Sequence, residues 1–139
     1  MIGSERVTGE DLTAASSGGT TSVDLYAFGS RAGPRPPRKG IDLIEVVPGQ
    51  VGPEGPPFPN GASSFADPQL APLSGHYHRL PRGTPLPEGI QVVADGRDVH
   101  ANSPHEPSHH TIYPAKAMTP QQFIDLFLGL PWQYAGNKK

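Results

Sequence analysis

The chain contains no cysteine. Disulfides, thiolate zinc sites and cysteine nucleophiles are therefore excluded. No apolar run approaches the ~20 residues that span a bilayer. Met1 to Thr21 is mostly small and polar, without a signal-peptide core, so export by the general secretory route is not expected. The formal net charge is only −2, so no global field draws the protein toward nucleic acid or anionic lipid. The GxSxG elbow of hydrolases, the GxGxxG dinucleotide fingerprint and the P-loop are all missing.

Glycine and proline are abundant, at 17 and 18 residues. That share sits at the edge of low-complexity composition, but strand and helix signals in the second half argue for a compact, loop-rich domain. A length of 139 residues suits one domain with a modest core. Residues 1–21, rich in Ser, Thr and Gly, read as a flexible lead-in or linker, leaving 22–139 as the folded domain.

Val23, Leu25 and Ala27 alternate against Asp24 and Tyr26, the pattern of a half-buried strand. Ile41 to Val47 fits a strand or a short helix, and residues 48–62 read as loop. Asp67 with Pro68 suits the start of a short helical turn. Strands are predicted over Gly75–Leu80, Ile90–Ala94 and His109–Tyr113. A helix is predicted from Thr119. Thr119 is the N-cap, Pro120 the first helical residue and Gln122 the capping-box partner. Phe123, Leu126, Phe127 and Leu130 form one apolar stripe, Gly129 and Pro131 end the helix, and Trp132 folds back onto the core. Strands with one or two helices packed on them make a small α+β domain.

Two features carry possible chemistry. Arg31, Arg35, Arg38 and Lys39 place four cations in nine residues, separated by Gly33, Pro34, Pro36 and Pro37. This is either a solvated, stiff polyproline-like loop or an arm that binds phosphates. His100, His105, His109 and His110 fall within eleven residues. Of these, His105, His109 and His110, with Glu106, could supply zinc ligands. On a strand, however, His109 and His110 point to opposite faces and do not easily share one ion. His109 to Pro114 also resembles the paired-histidine strand of His-Cys/HNH nucleases. That fold needs an Asn or His on the following helix. Thr119 to Leu130 has neither, and Asn137 lies beyond it.

The run LPRGTPLPEGIQVV from Leu80, followed by HHTIYPAKAM to Met118, closely resembles the Tse-type ADP-ribosyltransferase toxins of type VI secretion. Gly61, Ala62, Ser63, Ser64 and Phe65 look like that family's glycine–Thr-Ser–x–Phe motif, and Leu25-Tyr26 like its first-strand Leu-Tyr. The likeness spans roughly residues 23–130 and is strongest over 80–118. It implies a small split β-sheet, ADP-ribosyltransferase-like fold with a C-terminal helix, clamping NAD in a cleft. The family's serine would fall on Ser63 and its histidine on His109, both catalytic, with no metal. Tyr26, Arg31, Ser64, Phe65 and Thr111 would bind the cofactor. Tyr26 or Phe65 would stack on nicotinamide, and Arg31 would replace the arginine that follows Leu-Tyr, where this chain has Ala27. The family's threonine before the serine is here Ala62. His110 would be structural.

The resemblance further implies an effector, carried by an Rhs-like parent or similar cargo and acting in a competitor's cytoplasm. Its partners would be an immunity protein and an RNA or protein acceptor. Two other readings stand beside it. One is a metal-dependent nuclease built on His105, His109 and His110. The other is a proline-rich interaction module whose 34–37 segment docks an aromatic groove.

Overall fold

The computed structural model describes residues 19–53 and 59–139. Residues 1–18 of the lead-in expected over 1–21, and the loop residues 54–58, lie outside the described residues. Residues 19–21, expected to belong to the lead-in, are instead pinned into the fold. Thr21 is buried and exchanges backbone hydrogen bonds with Gly83 and Thr84, while its hydroxyl donates to Pro81 O at 2.8 Å.

The described residues form seven strands and one helix: β1 (Leu25–Ser30), β2 (Gly33–Pro34), β3 (Ala62–Phe65), β4 (Gly75–Leu80), β5 (Ile90–Ala94), β6 (His109–Pro114), α1 (Pro120–Leu128) and β7 (Gln133–Lys138). The strands form one antiparallel sheet in the order β5-β6-β3-β1-β4-β7, with β2 paired to β1. The expected α+β class is what the chain adopts. The β1–β3 junction consists of a single residue pair, Tyr26 with Phe65. The sheet therefore pinches at its middle, and its two halves meet at that one rung.

The strands at 75–80, 90–94 and 109–114 and the capped helix fall where periodicity places them. Thr119 accepts from Gln122 N while Gln122 returns a bond to Thr119 N, and Pro120 opens the helix. Thr119→Ala should destabilise the protein by about 1 kcal/mol, read as a small fall in thermal midpoint. Phe123 and Phe127 are fully buried and Leu130 nearly so. Ile124, outside the expected stripe, is buried too, whereas Leu126 is only partly so. Trp132 packs on Phe127 and donates its indole N–H to Phe127 O at 2.9 Å.

Four segments differ from the sequence reading. Residues 41–47 form turns and isolated bridges rather than a strand or helix, leaving Ile41, Ile44, Val46 and Val47 exposed. Asp67 and Pro68 make a turn without a helix, with Gln69 N donating to the Asp67 carboxylate. The 31–39 arm is not wholly polyproline-like, because Gly33 and Pro34 pair with Ser30 and Gly29 in a tight hairpin. Finally, β7 is an edge strand on β4 whose residues are mostly exposed. It has no apolar alternation to reveal it.

Cross-strand partners share a face of a pleated sheet. On one face, Leu25, Leu80, Ala62, Ile112 and Ile90 pack against α1 to make the core. The opposite face carries Ser63, Phe65, His109 and Thr111, continued across the pinch by Tyr26, Phe28, Tyr77 and Arg79. One side of the sheet carries the main apolar core, and the other carries polar and aromatic groups, of which Phe65, His109 and Thr111 are buried.

Candidate active site

Antiparallel pairing of β3 with β6 sets Ser63 beside Thr111 and Phe65 beside His109. The side chains two residues apart on each strand share a face, so Ser63 and His109 converge. Ser63 Oγ lies 3.0 Å from His109 Nε2. Ser63 is exposed while His109 is buried, so the hydroxyl stands between the imidazole and solvent.

The other side of the imidazole meets Asp95, the residue just past β5. His109 Nδ1 is 2.6 Å from Asp95 Oδ1, and the Thr111 hydroxyl donates to Oδ2 at 2.5 Å. Asp95 is fully buried. Its charge is compensated by these two donors, as a buried carboxylate requires. Its backbone is also held, since Asp95 N donates to His109 O and Ser103 Oγ donates to Asp95 O. A carboxylate can only accept. Nδ1 therefore carries the imidazole proton, and Nε2 is left as an acceptor for the Ser63 hydroxyl. Hydroxyl, base and orienting carboxylate form one continuous relay.

The His109 ring is clamped on both sides. His105 stacks on it with centroids 4.0 Å apart and 13° between planes, and Phe65 meets it edge-on at 5.3 Å. Gly61, Ser63, His105, His109 and Thr111 border a cavity of about 230 Å³, with Ile41 and Asp42 on its rim.

His105 is held below its ordinary value of 6.5, first by burial and then by repulsion from His109, against the pull of Asp95. Burial also lowers His110, which outweighs its hydrogen bond to Ser108 O. Both histidines bind fewer protons folded than unfolded. Their contribution to stability is thus present above pH 6.5 and lost as pH falls through the depressed folded values. Urea midpoints should drop between pH 7.5 and 5, and His110→Gln should flatten that slope.

Thr111 borders the cavity, but its hydroxyl proton is committed to Asp95. Ser64 is fully buried on the core face with its hydroxyl bonded to His110 O, so the structure does not bring it to the cavity. Phe65 supports His109. Tyr26 stands across the pinch, edge-on to Tyr77 at 5.9 Å, beside a second hollow of about 390 Å³ that Arg79 and Gln133 also line. Arg31 is in the exposed turn between β1 and β2, and Arg35 borders a third hollow with Phe28 and Pro34. Arg38 is engaged by Asp42, Nε to Oδ2 at 3.0 Å. Ala27 is buried on the core side.

Two residues escaped the sequence reading. Asp95 passes for a turn residue in Ala-Asp-Gly. Only the β5–β6 register, Ala94 opposite His110, brings the next residue against His109. Arg79 pairs with Tyr26 and shares the face of Ser63 and His109.

The histidine cluster does not gather as a metal set of His105, Glu106, His109 and His110. Glu106 binds Ser108, and His110 faces the other way. A different trio, Asp95, His105 and His109, has one ligand atom from each within 4.8 Å of the others. An ion there would have to displace a His109 bond to Asp95 or Ser63.

The model of the Tse2 ADP-ribosyltransferase toxin family matches residues 11–131. That span includes every element from β1 to α1 and all members of the relay. A search of curated proteins found no match.

Proposed function

Because the chain belongs to the Tse2 ADP-ribosyltransferase toxin family, we propose that it transfers ADP-ribose from NAD to a macromolecule of a competing bacterium. The observation that carries this reading is the Ser63–His109–Asp95 relay at a small cavity on the face of the sheet opposite α1.

Breaking the nicotinamide–ribose bond leaves positive charge growing on the ribose. The protein must fix nicotinamide and ribose in one pose and keep a base beside the reacting carbon. The 230 Å³ cavity suits one end of a dinucleotide rather than the whole. The nicotinamide riboside end sits at Ser63 and His109, and the rest runs along the aromatic face toward Tyr26. Phe65 flanks the nicotinamide, Tyr26 flanks the part of the dinucleotide beyond it, and Arg79, on the same face, meets the pyrophosphate in the place proposed from sequence for Arg31. His109 Nε2, held as an acceptor by Asp95, takes the proton of the attacking hydroxyl.

RNA is the favoured acceptor over protein, because Arg31 and Arg35 stand exposed on the arm and suit a phosphate backbone. The exposed Ile41, which borders the cavity, and the exposed Ile44 three residues on suit an immunity protein that covers it. Delivery as type VI cargo and action in the target cytoplasm complete the reading.

Purified protein, labelled NAD and a bacterial lysate provide the test. Label should enter a macromolecule and be removed by ribonuclease; removal by protease alone would move the acceptor to protein. Expression without a partner should kill bacteria, and Ser63→Ala or His109→Ala should each relieve it. NAD-independent, chelator-sensitive cleavage of nucleic acid would instead favour a metal nuclease on Asp95, His105 and His109.

A further inference from the structure

We infer that Ser63 is the first acceptor of ADP-ribose, forming a covalent ADP-ribosyl-serine that precedes transfer to the outside target. The inference rests on NAD being the substrate.

A serine that merely holds a ligand needs no base at its oxygen and no buried acid behind that base. Ser63 has both. Ser63 is an exposed residue bordering the cavity, His109 Nε2 is 3.0 Å from its Oγ, and His109 Nδ1 is 2.6 Å from a fully buried Asp95. Thr111 fixes the second carboxylate oxygen, and His105 and Phe65 hold the ring from two sides. The arrangement of nucleophile, base and orienting group is the one that activates hydroxyls for covalent catalysis. No other hydroxyl among the described residues is hydrogen-bonded to His109. An acceptor already in place also avoids the entropy of bringing in a second reactant.

The step balances. The Ser63 Oγ–H proton passes to His109 Nε2 as Oγ bonds to C1′ of the ribose. The C1′–N bond to nicotinamide breaks, and nicotinamide leaves with the bonding pair as a neutral ring. The positive charge it carried in NAD is now on the His109 imidazolium, next to Asp95. When an outside hydroxyl attacks C1′, the C1′–Oγ bond breaks and His109 returns its proton to Oγ; the imidazole, neutral again, takes the proton of the attacking hydroxyl and releases it to solvent, so serine and base are both regenerated.

Two experiments test this. In the first, the parent protein is mixed with NAD without acceptor, acid-quenched within the first turnover and weighed intact. One ADP-ribose per chain, mapped to Ser63 and absent from His109→Asn and Asp95→Asn, is expected. Nicotinamide release with no adduct on Ser63 overturns the inference and leaves the transferase reading standing. In the second, Ser63→Cys gives this cysteine-free chain a single thiol. Iodoacetamide should alkylate it about fivefold faster than an ordinary cysteine at pH 6.5, and His109→Asn should abolish the excess. An ordinary thiol overturns the activation of residue 63. A reactive thiol with no nicotinamide release from the parent retires NAD as the substrate, and with it both readings.

Discussion

Asp95→Asn should lower the rate of nicotinamide release from NAD by about a thousandfold or more while leaving KM nearly unchanged. The carboxylate accepts from His109 Nδ1 and thereby keeps Nε2 free to accept from Ser63. An asparagine amide in the same place can satisfy Thr111 with its oxygen and donate its N–H to Nδ1. The imidazole proton then sits on Nε2. From there it can only donate, and Ser63 loses its base. The volume of the side chain is conserved, so the fold should survive and the loss should fall on kcat. Toxicity on expression should vanish in parallel. A variant within tenfold of the parent would show that His109 does not act as a base in this orientation.

Gly96→Ala should destabilise the protein by about 2–4 kcal/mol and lower its thermal midpoint by roughly 10 °C. A Cβ at residue 96 would press into the carbonyl oxygens of Glu106 and Pro107 and lie 2.7 Å from His109 N. All three are backbone atoms and cannot swing aside. The segment from Asp95 to Ser108 would be pushed away from the start of β6, separating Asp95 from His109. NAD turnover should therefore fall further than the loss of folded protein explains. Gly33→Ala is the control, since nothing lies within 4 Å of a Cβ there. Its midpoint should stay within the small range of surface substitutions. Equal effects of the two would place the constraint in backbone entropy rather than in close approach.

The helix was legible because its signals are local. Thr119, Pro120 and Gln122 act within one turn, and the apolar stripe repeats with the helical period. Strands β4, β5 and β6 were legible from residue type and bounding turns. Strand β7 was not, because an exposed edge strand needs only a neighbour's backbone to pair with. Residues 41–47 misled for the converse reason, being apolar yet folded into exposed turns.

Within the site, Ser63 and His109 came from a family resemblance, not from spacing. They are 46 residues apart, and nothing in their local sequence says that they touch. Ser64 shows the limit of a motif. It adjoins Ser63, yet the two-residue period of the strand sends its hydroxyl to the core face.

The sequence by itself determined the absence of thiol chemistry, the α+β class, the helix with its cap and the family. Each of these depends on composition, on periodicity within a few residues or on a linear motif. Only the tertiary structure decided that Asp95 completes the relay, that Arg79 lies on the face of Ser63 and His109 and that Thr111 serves the carboxylate. Those facts follow from strand order and register. A shift of one residue between β5 and β6 would turn every side chain to the other face without changing a letter of either strand.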